Sequence, residues 1–189
     1  MKCLTYAESE AWFASFGAKI NEHRHILFSD PTKKERRIFL PNLALDPSTG
    51  LDTFSSRLVD WLPNGCNRML WLSNWENHRS IIFFETVRHA YKEYRHIIEA
   101  PGHLFESSAW DRMDYESRTP DDEREDAILS GLFLLAICFN WNADLITPNR
   151  DYITLYDNSI MFGSLDDSRI EEAYTLTRKW DLKFQEQGR

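Results

Sequence analysis

Twelve consecutive residues, Ile128 to Phe139, are apolar at every position except Ser130 and Gly131. A run this long reads as a helix rather than a strand, yet it falls well short of the roughly 20 residues that cross a bilayer. The segment before it marks the helix start. Thr119-Pro120-Asp121-Asp122-Glu123 supplies an N-cap threonine, a proline at the first helical position and acids in the first turn, where the macrodipole favours them. The pattern predicts a helix from Pro120 to about Phe139. Its second half is apolar on nearly all sides and has to be covered from both sides, which makes it the expected central helix, with Cys138 in the core.

The other segments read as alternating helices and short strands. Ala7, Trp12, Phe13 and Phe16 share a helix face over Tyr6 to Phe16, with Gly17 as the stop. His23 to Phe28 and Arg37 to Leu40 read as two strands flanking an Asp30-Pro31-Thr32-Lys33-Lys34 turn, and Pro41 and Pro47 mark a loop. Leu51, Phe54, Leu58 and Trp61 follow three-and-four spacing, ended by Pro63-Asn64-Gly65. Met69 to Leu72 is a short buried strand. Arg79 to Tyr94 is a third helix, broken by Ala100-Pro101-Gly102, and residues 104–118 read as an irregular, largely exposed segment. After the apolar helix, Ala143 to Thr147, Tyr152 to Tyr156 and Ser159 to Phe162 form an expected three-stranded antiparallel meander, and Asp167 to Trp180 closes the chain as a helix. With no repeat, low-complexity tract or linker, the 189 residues are expected to form one α+β domain, 1–189. Its helices pack on a small antiparallel sheet.

The formal charge of −8 is unevenly placed. Residues 1–100 carry 13 Lys and Arg against 12 Asp and Glu, whereas residues 101–189 carry 9 against 18. An acidic half repels phosphate backbones, so nucleic acid is not an expected partner, while a basic protein is. Glu8 and Glu10 stand where a secretion signal needs an apolar stretch, so the expected compartment is the cytoplasm. Cys3, Cys66 and Cys138 are odd in number and far apart, as reduced cytosolic thiols are.

No cofactor is expected. GxGxxG, P-loop, HExxH and GxSxG patterns are absent, and most of the seven tryptophans match predicted core positions. His23 and His25 alternate as two metal ligands on a strand would, but no third ligand stands at a suggestive spacing, so no metal is expected. Glu85, His89 and Glu93 are four apart on the third helix, a spacing that could support a general base, and also that of any solvated face. The strongest local field lies between Glu106 and Asp126, nine acids against three arginines in 21 residues. Aromatic anchors ringed by charge are typical of protein-binding hot spots, where rings are buried and charges steer. The expected partner-binding residues are Trp110, Asp111, Asp114, Tyr115, Glu116, Asp121, Asp122, Glu123, Glu125 and Asp126. The bland alternative is a helix cap plus a solvated loop.

From the apolar helix through Phe139-Asn140-Trp141-Asn142-Ala143-Asp144-Leu145, the hairpin Tyr152 to Ile160 and Gly163-Ser164, the layout resembles small bacterial α+β immunity proteins of contact-dependent and secreted toxin systems. It covers about a quarter of the chain. The resemblance implies a cytoplasmic protein that binds and blocks a cognate toxin without catalysis of its own. It also implies that Trp141 packs on the core at the start of the first strand and that Asp157 is the acid following the second. The expected function is therefore an immunity-type inhibitor of a basic protein toxin, occluding the toxin's active site. The competing expectations are an enzyme or small-ligand protein with His89 or Glu85 on the 79–96 helix as base, and a phage-encoded inhibitor of a host protein.

Overall fold

A computed structural model describes residues 2–4, 6–21, 26–29, 36–40, 50–63, 68–72, 104–107, 120–138, 140–156, 159–178 and 185–186. Four helices run through them: α1 (Tyr6–Ser15), α2 (Leu51–Trp61), α3 (Pro120–Cys138) and α4 (Asp167–Arg178). The strands are β1 (Lys2–Leu4), β2 (Ala18–Ile20), β3 (Ile26–Phe28), β4 (Arg36–Leu40), β5 (Arg68–Leu72), β6 (Leu104–Ser107), β7 (Ala143–Ile146), β8 (Tyr152–Tyr156), β9 (Ser159–Ser164) and β10 (Gln185–Glu186). Eight strands pair antiparallel in the order β1-β6-β5-β7-β8-β9-β4-β10, and β2 and β3 form a separate ribbon. The fold is α+β, with the C-terminal meander β7-β8-β9 and the closing helix α4.

Register explains why these strands are apolar at successive positions. Leu70, Leu145, Ile153 and Phe162 stand opposite one another across β5, β7, β8 and β9, all buried in one core with residues of α2, α3 and α4. One residue along, Met69, Ile146, Tyr152 and Gly163 form the next row. Side chains alternate faces along a strand, so this row points the other way, and its first three members meet Phe13 of α1 and Ala18 of β2 in a second core. The sheet is a middle layer, with α2, α3 and α4 on one side and α1 with the β2-β3 ribbon on the other. Rings fasten the second side: Phe13 lies 5.5 Å from Trp71, and Phe28 lies 5.9 Å from Tyr152.

Local chemistry sets the helix ends. Gly17, at φ 77°, takes the left-handed turn after α1 that a Cβ would strain. After α3, the Trp141 amide donates to the Ala136 carbonyl at 2.8 Å and the Asn140 amide to the Ile137 carbonyl at 3.3 Å, with Asn140 at φ 52°. This is a Schellman ending with asparagine in the left-handed position, and it turns Trp141 back into the core at 1% exposure. The tryptophan thus packs at the start of the meander, as expected. At α4 the Asp166 carboxylate accepts the Ser168 amide at 2.8 Å, so the cap stands just before the helix.

Three expectations need correction. Residues 104–107 are not part of an irregular exposed segment: β6 lies inside the sheet between β1 and β5, paired at Phe105 with Cys3 and Leu70. Helix α3 is not covered all round: Leu129, Leu132, Phe133, Leu135 and Ala136 are buried, while Gly131 and Leu134 keep partial exposure. Cys138 is exposed rather than in the core, since it lies on the uncovered side in the last turn. The Arg79–Tyr94 helix and the remainder of 104–118 lie outside the described residues.

Gly163 in β9 leaves no room for a side chain. A Cβ there would sit 2.1 Å from the Tyr152 ring, which lies across the ladder over the glycine. Gly163→Ala is expected to cost about 1–3 kcal/mol through overpacking, read by urea denaturation. Combining it with Tyr152→Ala should recover part of the loss, whereas strictly additive losses would show that the ring is not the obstacle.

Candidate functional site

The last part of the acidic segment, residues 121–126, falls in α3. Asp121, Asp122, Glu123, Glu125 and Asp126 fall on its first two turns, directly after Pro120. Asp121 and Glu125, and Asp122 and Asp126, stand four residues apart along it. The far half of α3 is anchored. Leu129 and Phe133 are fully buried against the core that contains Phe54 and Leu58 of α2, and the Ser55 hydroxyl donates to the Ser130 carbonyl. At about 1.5 Å per residue, Asp121 lies about 12 Å along the axis from Leu129. The acid-dense segment 121–126 is thus the start of a helix whose far half is packed in the core. Trp110, Asp111, Asp114, Tyr115 and Glu116, the rest of the expected surface, lie outside the described residues. So do His23, His25, Glu85, His89, Glu93 and Asp157.

Other ionisable groups are drawn into the interior, where sequence patterning did not place them. At the β7-β8 connection, the Arg150 amide donates to the Thr147 carbonyl at 3.0 Å with φ at 68°, and its side chain is only 6% exposed. The guanidinium stacks on Phe28, 4.8 Å from the ring centroid, and reaches Gly17 just past the carbonyl end of α1. Ring quadrupole and helix dipole both favour a cation there. Arg150 thereby ties the meander to the ribbon.

Asp151 points to the opposite side. It accepts the Ser164 hydroxyl at 2.5 Å, and the Ser164 oxygen in turn accepts the Asp166 amide at 3.0 Å. Burial pushes the Asp151 carboxyl above its ordinary value, and the Ser164 hydrogen bond and Arg169 charge pull it partly back. Asp166 is held below the usual carboxylate range by its hydrogen bonds from Ser168. Arg169 completes the knot: it pairs with Glu172, and its guanidinium stacks on Trp61 at 5.0 Å. The Trp61 indole donates to the Arg169 carbonyl at 2.8 Å. These contacts join α2, α4 and the ends of β8 and β9.

A third buried acid lies within the sheet. Asp144 of β7 stands between Trp71 and Thr154 in register, on the face of the second core, and accepts the Thr154 hydroxyl at 2.6 Å. The residue keeps some surface, but its carboxyl is enclosed, and this burial raises its pKa to about 6 despite the threonine. Asp144 reads in the sequence as one polar position in an alternating strand, which gives no sign that the face it occupies is covered.

Among the described residues no group of three or more His, Cys, Asp and Glu could hold a metal ion, and no helix is long and apolar enough to cross a membrane. A recess at the end of α3, lined by Ile137, Asn140, Leu155 and Tyr156 among others, has room for about one water. Comparison of the chain with protein-family models, curated proteins and solved structures finds no match.

Proposed function

We propose that this chain is an immunity-type inhibitor that binds a cognate basic protein toxin through the acidic stretch Glu106–Asp126, whose last residues begin α3. The observation that carries the reading is the density of charge there: five acids among the six residues 121–126, on a helix whose other half is packed in the core. A field of this kind accelerates encounter with a basic partner, and a rigid stem spares the ordering cost of a loop. The residues 101–189, with twice as many acids as bases, extend the same field.

The test begins with retention of a partner on the immobilised chain from lysate of the source cells at low salt. The expected result is one basic protein, released by high salt, whose expression alone arrests growth and whose toxicity the chain relieves. Replacing Asp121, Asp122, Glu123 and Glu125 by lysine should then slow association about 10- to 100-fold at low salt and flatten its salt dependence. Each reversal also opposes the helix dipole by about 0.3–1 kcal/mol, so the Asn and Gln versions serve as the folded control and should show an intermediate loss. A retained protein without toxicity, or association unchanged in a folded variant, would overturn the proposal.

A further inference from the structure

We draw no further inference here: the strongest candidate, the buried Arg150 guanidinium at the β7-β8 turn with no hydrogen-bond partner for its Nη1, carries nothing, because the Phe28 ring and the carbonyl end of α1 beside Gly17 already meet its charge.

Discussion

Trp61→Ala is expected to cost about 3–5 kcal/mol, a large share of the roughly 5–15 kcal/mol that holds a domain folded. Three losses combine at this position. The indole is 3% exposed and meets Phe162 edge-on at 5.1 Å, so its removal opens a cavity between α2 and the sheet. It also carries the Arg169 guanidinium on its face and donates to the Arg169 carbonyl from its ring nitrogen. Arg169 Nε and Nη2 are already buried without hydrogen-bond partners, so loss of the ring leaves a cation with still less compensation. Because the alanine variant is liable to unfold, Trp61→Phe is the sharper probe. It keeps most of the packing and gives up the hydrogen bond and part of the cation–π contact, for an expected loss of about 1–2 kcal/mol. Urea denaturation of Trp61→Phe, Arg169→Ala and the double variant should show coupling between the two positions. If their losses simply add, the stacked pair is a neighbour contact and not the clasp between α2 and α4.

Which parts of this fold were legible depended on whether the signal was local. Helix α2 spans Leu51–Trp61 as its three-and-four spacing indicates, with Gly50 ahead of it and Pro63 beyond. The meander follows from turn residues and apolar runs that are contiguous in the chain. Strand β6 is the opposite case. Leu104-Phe105-Glu106-Ser107 lacks a clean alternation, and its partners, Lys2–Leu4 and Arg68–Leu72, are distant in sequence. The two-residue β10 and the three-residue β1 and β2 likewise owe their form to what they pair with. The site divides in the same way. Acids at 121–126 announce themselves by composition and by the capping signal before them, whereas burial of Arg150 and Asp151 arises only when the meander meets the ribbon on one side and α4 on the other. A turn reading Pro148-Asn149-Arg150 gives every sign of facing solvent. The uncovered side of α3 is hidden for a related reason: uniform hydrophobicity says that a helix is packed, but not how completely.

The same hidden burial sets the response to pH. Asp144 binds its proton more tightly in the folded chain, with a pKa of about 6, than the ordinary 3.8 of an unfolded one. Its contribution to stability is therefore complete below pH 3.8 and is lost as pH rises through about 6. That interval corresponds to as much as about 3 kcal/mol. Asp151 acts in the same direction, because burial raises its pKa also, so a comparison with Asp144→Asn isolates the first acid from the second. The asparagine retains an oxygen for the Thr154 hydroxyl and never ionises. In urea denaturation from pH 4 to 8, the variant should match the native chain near pH 4 and exceed it above pH 6, with the difference growing between those limits. Thr154→Val removes the hydrogen bond that favours the carboxylate, and it should displace the native chain's loss toward higher pH. Parallel pH curves for the native chain and Asp144→Asn would mean that the carboxyl is hydrated in solution and that the sheet carries no buried charge at this point.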